Sequence, residues 1–356
     1  MTLGFDTRRA ERFAEKMTSA LNGAALGLMT SVGHRTGLFD VMRGAPPASS
    51  VQLAERAGLA ERYVREWLGA MTTAGVVEHD PAAGTFSLPA EHAAVLTRAA
   101  RPNNLAATFQ WIPLLGSVEE EIVNCFERGG GVPYASFGRF HAVMAEESDQ
   151  TVVAGLLEHI VPLVPGLAEH LARGVDVLDV GCGSGRALAR LAGAFPRSRF
   201  HGVDVSACAV EHASDEARSL GLSNLRFGVC DAAALDAADG YDVITAFDAI
   251  HDQADPAAVL ASIAAALRPD GVFLMQDIAG TSVLQEDVAH PLATFLYTVS
   301  CLHCMTVSLS SGGAGLGAMW GERTARRMLA EAGFSRVDVQ VLPHDPINLY
   351  YVARKA

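Results

Sequence analysis

Residues 177–185 read Val177-Leu178-Asp179-Val180-Gly181-Cys182-Gly183-Ser184-Gly185, an apolar run that ends in an acidic residue and breaks into alternating glycines. The run predicts a buried strand over Val175 to Val180 that turns sharply into a helix beginning at Arg186. Glycines there let backbone N–H groups approach a ligand with no Cβ in the way, which suits a nucleotide-like cofactor. The dinucleotide fingerprint requires a small residue where bulky Arg186 stands, so NAD is disfavoured.

Further carboxylates follow at strand spacing. Ser198 to Val205 predicts a second strand ending at Asp204, about 20 residues beyond the glycines, where a carboxylate accepts hydrogen bonds from ribose hydroxyls. A third strand from Asn224 ends in Asp231. Asp179, Asp204 and Asp231 thus close three successive strands on the carboxyl edge, where open α/β sheets bind ligands. Tyr241 to Phe247 is the fourth strand, with His251 and Asp252 in the loop beyond. Asp255 before Pro256 reads as a helix N-cap. A helix over 257–267, a turn at Arg268-Pro-Asp-Gly and a strand over 271–278 come next. An apolar helix over 293–309, a last helix begun at Trp320 and ended by Gly333, and strands over 336–342 and 347–354 complete the chain.

The spacing of Asp179, Gly181, Gly183 and Gly185 resembles motif I of the class I S-adenosylmethionine-dependent methyltransferases. The resemblance implies an α/β fold with a Rossmann-like seven-stranded sheet closed by a reversed hairpin, and S-adenosylmethionine as cofactor. It also implies cofactor contacts from those four residues, from Asp204 and Val205 at the ribose, from Asp231 and the backbone of Ala232 at the adenine, and from Phe247. Ile250-His251-Asp252 resembles the His-Asp-Trp signature of O-methyltransferases, in which the histidine is the general base for a hydroxyl. Gln253 replaces the tryptophan, which weakens the transfer of substrate type more than that of the base. Methyl transfer from a sulfonium is an in-line displacement that gains from positioning, and a neutral imidazole can take the acceptor's proton. The competing role for His251 is a hydrogen bond to the loop backbone.

The 356 residues, 50% hydrophobic and 19% charged, describe a globular protein with a large core. Charge at the N-terminus in place of an apolar signal, and no apolar run approaching about 18 residues, lead to the expectation of a cytoplasmic protein without a membrane span. The six cysteines are scattered except for Cys301 and Cys304, so reduced thiols are the default. A net charge of −13 repels phosphate backbones.

Upstream of the sheet, Phe13, Met17, Leu21, Ala24 and Leu28 recur at helical spacing, and Val32, Leu38, Phe39 and Met42 extend the apolar pattern to Gly44. Ser49-Ser50 caps a short helix, a longer helix runs from about Ala60 to Thr73, and a hairpin turns at Asp80 to Gly84. That order is a winged helix. Residues 1–100 hold ten basic and ten acidic side chains, and the helix placed to enter a DNA groove mixes Glu61 and Glu66 with Arg62 and Arg65. This balance argues against DNA as partner. The segment also looks like the dimerisation domain of small-molecule O-methyltransferases, which implies a homodimer. Three divisions follow: 1–101 helical and winged-helix dimerisation domain, 102–165 helical connector and substrate lid, 166–356 catalytic domain.

The connector breaks at Gly129-Gly130-Gly131-Val132-Pro133, flanked by Trp111, Tyr134, Phe137, Phe140 and His141. These aromatics read either as packing or as an apolar wall over a small-molecule pocket beside a glycine hinge. His141, with Arg139, is also a candidate to reach the cofactor's carboxylate. Cys301 and Cys304 lack the second ligand pair that a structural zinc site needs, so no metal is assigned. With Met305 they are read as lining the pocket, which leaves a thiol- or metalloid-methylating enzyme as an alternative. A cofactor-sensing winged-helix regulator is the other.

Overall fold

Asp6 accepts a hydrogen bond from the Arg9 N–H and starts α1 (Thr7–Thr36), which Gly37 stops in the left-handed conformation at φ 74°. The apolar helix expected to run on to Gly44 is therefore broken, and Leu38 to Met42 form a separate turn, α2 (Leu38–Met42). Ser49 and Gln52 make a reciprocal capping box at the head of α3 (Ser50–Ala57). After α4 (Glu61–Thr73), strands β1 (Glu78–Asp80) and β2 (Thr85–Ser87) pair antiparallel as the wing. Leu38, Phe39, Met42, Leu53, Val64, Trp67, Leu68 and Met71 form the core of this part. On α4 the charges pair among themselves, Arg62 with Glu66 and Arg65 with Glu61.

The computed structural model describes residues 5–102, 104–235 and 240–355; residues 1 and 356, the outer limits expected for the first and last domains, lie outside them. The chain forms two compact units, Met1–Gly116 and Ser117–Ala356, so the stretch expected as a connector contributes to both.

In the second unit, β3 (Asp176–Val180), β4 (Arg199–Asp204), β5 (Leu225–Val229), β6 (Tyr241–Phe247), β7 (Leu267–Ile278), β8 (Arg336–Leu342) and β9 (Asp345–Arg354) build one seven-stranded sheet. The order is β5-β4-β3-β6-β7-β9-β8; β9 runs antiparallel to both β7 and β8, and the other pairs are parallel. Alternation along the strands feeds two cores. Leu178, Val180, Ile244, Ala246, Phe273, Met275 and Tyr351 face the helices Pro256–Ala266 and Gly321–Glu331. Val177, Val243, Val272, Leu274, Tyr350 and Val352 face the helices Leu167–Arg173 and Arg186–Ala194. Each fully buried Val, Leu, Ile, Phe or Met among them stabilises the fold by about 1.5–3 kcal/mol, and burial on both faces explains why these strands read as continuous apolar runs. Arg268-Pro-Asp-Gly, expected as a turn before the strand, belongs to β7 itself, with an irregular register opposite Tyr241 and Val243.

The segment from Ala293 to Ser310 is the one candidate among the described residues long and apolar enough on average to cross a membrane, though no uninterrupted apolar run of that length occurs in it. It is studded with Thr294, Thr298, Ser300, His303, Thr306 and Ser308, and Leu296, Val299, His303, Cys304 and Val307 are buried within the protein. Its middle, Ser300–Cys304, is wound as a π-helix, a form frequent at functional sites.

Gly33 supplies a test of the first core. A Cβ there would lie 2.6 Å from the Trp67 ring and 2.8 Å from Phe39, while the Trp67 indole N–H is tied to the Met29 carbonyl at 2.9 Å. Gly33→Ala gains about 1 kcal/mol of helix propensity and costs about 1–3 kcal/mol of overpacking. Denaturant unfolding is expected to show net destabilisation, because the ring cannot swing away; unchanged or increased stability would contradict this packing.

Candidate active site

Asp179 lies opposite Thr245 in the β3–β6 register, and the threonine hydroxyl donates to its Oδ1 at 2.6 Å. Burial pushes the Asp179 carboxyl up to about 7, with the Asp204 charge adding and the Thr245 bond opposing. Beyond it, Gly181, Gly183 and Gly185 hold φ of 69°, 50° and 70°. A Cβ on Gly181 would meet Ala249 at 2.5 Å and one on Gly185 the Phe227 ring at 2.4 Å, whereas one on Gly183 would meet nothing within 4 Å. Only glycine forms this turn, and the space beside Gly183 is open.

Asp204 closes β4 and pins the turn: Oδ2 accepts the Gly183 N–H at 2.9 Å and Oδ1 the Ser206 N–H at 2.8 Å. Lone pairs remain on both oxygens for further donors. Val205, beside it, is exposed. Asp231 follows β5 and accepts the Ala233 N–H at 2.9 Å, which caps the turn Ala232–Ala234; Asp231 is exposed and Ala232 buried. Phe247 ends β6, half-buried. An open glycine turn between strands that end in carboxylates fits the adenosyl part of S-adenosylmethionine, with Asp204 available to ribose hydroxyls and Asp231 to the adenine amine.

Four residues past β6, His251 is 3% exposed. Its Nδ1 lies 2.8 Å from Oδ1 of Asp277, near the end of β7, rather than on the loop backbone. The same oxygen accepts the Trp320 indole N–H at 2.9 Å and the Ile278 N–H at 2.8 Å. Because the carboxylate is an acceptor, the hydrogen of this pair is on Nδ1; Nε2 is the nitrogen not committed to Asp277, and the Cys304 side chain also hydrogen-bonds the ring. Burial disfavours the imidazolium, but the Asp277 carboxylate outweighs it and, with the neighbouring Cys304, raises the histidine well above its ordinary value. Asp252 receives the Tyr134 phenol, and burial pushes its carboxyl up to about 6, against the His251 charge and the Tyr134 bond. Gln253, at the position of the signature tryptophan, ties its amide to the Ala249 carbonyl at 2.7 Å, and its own carbonyl accepts the Ser308 hydroxyl at 2.8 Å. Asp255 caps the following helix through the Ala258 N–H, as its place before Pro256 predicts.

The aromatics after the glycine break gather round His303. Phe140 stacks on its ring at 4.2 Å, and Phe137 and Tyr134 meet it edge-on at 4.8 and 5.5 Å. Burial lowers His303 to about 3, with the charges of His251 and His141 in the same direction, so its imidazole is neutral. Val132 N–H donates to the Thr306 hydroxyl at 2.8 Å, which fastens the break to the helix carrying Met305. His141 Nε2 is 3.2 Å from the Ser206 hydroxyl, one residue beyond Val205. Cys301 and Met305 are half-buried and Cys304 buried; Trp111 belongs to the first unit, on the helix Trp111–Gly116. Arg186, read only as the start of a helix, binds Asp149 at 2.6 Å.

Asp277, Trp320 and Asp248 were not singled out by sequence. The available signal for Asp277 was its place at the end of an apolar strand, as for Asp179, Asp204 and Asp231. Asp248, Asp277 and His251 each offer a ligand atom within 4.8 Å of the others. A metal held through Nδ1 would have to displace the hydrogen that this nitrogen directs at Asp277.

Residues 24–98 match the family described as the Rv2258c-like winged HTH domain, and residues 171–333 match a methyltransferase domain family. An O-methyltransferase of Penicillium expansum is 33% identical over 143 residues, 40% of this chain; the match spans about half the length of that relative, 51%. Among solved structures, mitomycin 7-O-methyltransferase superposes with a TM-score of 0.70 at 19% identity, covering 98% of this chain and 100% of that one. Human N-acetylserotonin methyltransferase in complex with S-adenosylmethionine gives 0.69 at 16% identity, covering both chains fully. These two likenesses are of fold. With the glycine turn, the strand-end carboxylates and the sheet order in agreement, residues 171–333 form a methyltransferase domain of the class I S-adenosylmethionine-dependent type, and residues 24–98 a winged-helix domain.

Proposed function

We propose that the protein transfers the methyl group of S-adenosylmethionine to a hydroxyl of a small-molecule acceptor, with His251 as general base. The observation that carries this reading is the Asp277–His251 pair: a buried imidazole past the end of β6, oriented through Nδ1, beside the turn that fits the cofactor. When bound, the cofactor supplies an electrophilic methyl on a sulfonium. Nε2 of His251 takes the acceptor's proton as the oxygen attacks, and Asp277 holds the ring and stabilises the charge it gains. Asp252, fastened by Tyr134, lies next to the base in sequence and orients the acceptor. Tyr134, Phe137, His141, Cys301 and Met305 form the surroundings of the acceptor. The names of the relatives, which are O-methyltransferases, favour oxygen over sulfur or a metalloid.

We also propose a homodimer built on α1. Its first turns are exposed all round, with Phe13 62%, Met17 52% and Leu21 72% accessible on one stripe. A helix that buries no apolar face is marginal in water, so a second copy covering this stripe accounts for its stability.

Three results test these readings. His251→Ala is expected to lower kcat by about 10²–10⁴-fold while calorimetric affinity for S-adenosylmethionine stays within about threefold; full activity at neutral pH would remove the base assignment. Catalysis needs the neutral imidazole, so the rate should climb as pH rises through the elevated His251 value. Asp277→Asn withdraws the anion that raises it, and the midpoint of the profile should move to lower pH; an unmoved midpoint would count against Asp277 as the positioning residue. The same pair stabilises the fold fully below the ordinary histidine value of about 6.5 and loses its contribution as pH rises through the raised one. Leu21→Asp should yield a monomer by light scattering, and a wild type already monomeric would end the dimer proposal.

A further inference from the structure

Among the described residues, the buried carboxylates near His251 each hold at least one donor except Asp248, and Oδ2 of Asp277 is likewise buried without a partner. Asp277 accepts three N–H groups, Asp252 the Tyr134 phenol, and Asp345 the Asn348 amide at 2.8 Å and the Tyr350 hydroxyl at 2.7 Å. Oδ1 of Asp248 is buried and accepts no hydrogen bond among the described residues. Its closest cation is Nδ1 of His251 at 3.8 Å, whose hydrogen is already directed at Asp277. The leading electrostatic neighbours of Asp248 are His251, Asp277, Asp252 and Asp345, three of them acidic.

Its backbone is unusual as well. Asp248 holds φ 55°, in the left-handed region, while its N–H is fixed to the Gln276 carbonyl at 2.9 Å. A residue kept in a sparsely populated conformation by its surroundings, with a buried carboxylate oxygen that accepts no hydrogen bond, marks a place where a ligand can supply the missing donor. Its position says which ligand. Asp248 directly follows β6, the strand paired with β3, and the next residue, Ala249, lies against Gly181 of the glycine turn.

We propose that Asp248 is the anionic receptor for the positive charge of S-adenosylmethionine, carried on its α-ammonium and its sulfonium. This rests on the cofactor reading above. Removing one side of a buried charge pair costs affinity steeply, whereas a carboxylate with no partner in the free protein is a burden until the cation arrives.

Asp248→Asn keeps the shape and removes the charge. Melting of the ligand-free protein and calorimetric titration with S-adenosylmethionine and with S-adenosylhomocysteine, on wild type and variant, separate the outcomes. The variant should melt at or above the wild-type temperature and bind S-adenosylmethionine roughly thirtyfold more weakly. An equal loss for S-adenosylhomocysteine assigns the ammonium as the partner, and a loss confined to S-adenosylmethionine assigns the sulfonium. Binding within about twofold of wild type overturns the proposal, as does a lowered melting temperature without ligand, which would make Asp248 a structural acceptor. Binding of Mg²⁺ alone to wild type and not to Asp248→Asn overturns it in favour of a metal. Failure of the wild type to bind S-adenosylmethionine overturns the cofactor reading first, and this proposal with it.

Discussion

One oxygen atom, Oδ1 of Asp277, accepts hydrogen bonds from the His251 imidazole, the Trp320 indole and the Ile278 backbone. Each bond to an ionised acceptor contributes about 1.5–3 kcal/mol, and the burial of the carboxylate costs several kcal/mol, so the two largely offset. What the cluster provides is placement. It ties the end of β7, the loop after β6 and the start of the helix Gly321–Glu331 to a common point. It also decides the chemistry of the histidine, because an Nδ1 that must donate leaves Nε2 as the acceptor. Any drift of these three elements relative to one another would turn the imidazole away from the strand ends.

Around that point the site is acidic. Asp179 and Asp248 are pushed up to about 7 and Asp252 to about 6, each chiefly by burial, with like charges nearby adding to it. Carboxyls held near neutrality are poised to ionise when a cation arrives and to stay protonated when none does. A sulfonium donor is such a cation, and the transferred methyl leaves it neutral. The same environment keeps His251 elevated in the free protein, and a cation bound nearby would lower it toward the neutral form that a base needs.

Much of the sheet was legible because burial on both faces writes apolar runs of strand length, and because glycine and aspartate mark the points where those runs end. The strand over 241–247, the carboxylates at 179, 204 and 231, and the N-cap at Asp255 all follow from local rules of that kind. Asp277 and Trp320 do not, since 43 residues separate them and only the packing of β7 beside the last helix brings them together. Asp248 was hidden for another reason: it follows the strand directly, so nothing in the sequence separates it from an ordinary loop acid, and only its backbone angle and missing donor do. The break at Gly37 shows the converse, where an apolar spacing continued through a residue whose conformation stops the helix.

The Cys301-Leu-His303-Cys304 segment shows how winding changes the meaning of a motif. On sequence spacing the two thiols invite a ligand role, and the histidine between them a third donor. The π-turn over Ser300–Cys304 instead carries His303 into the cluster of Tyr134, Phe137 and Phe140, where burial removes its proton. A neutral imidazole with aromatic rings on three sides, one stacked and two edge-on, acts as one more flat ring. Its partners all come from the segment that follows the glycine break, and that segment is fastened to the helix carrying Met305 by Val132 on Thr306 and to the loop after β6 by Tyr134 on Asp252. A Cβ on Gly131 would fall 2.0 Å from the Thr306 carbonyl oxygen, so close approach of the two backbones depends on glycine at that point. The break in the connector thus acts as a fitted joint between the aromatic cluster and the loop of His251 and Asp252, and its glycine serves packing.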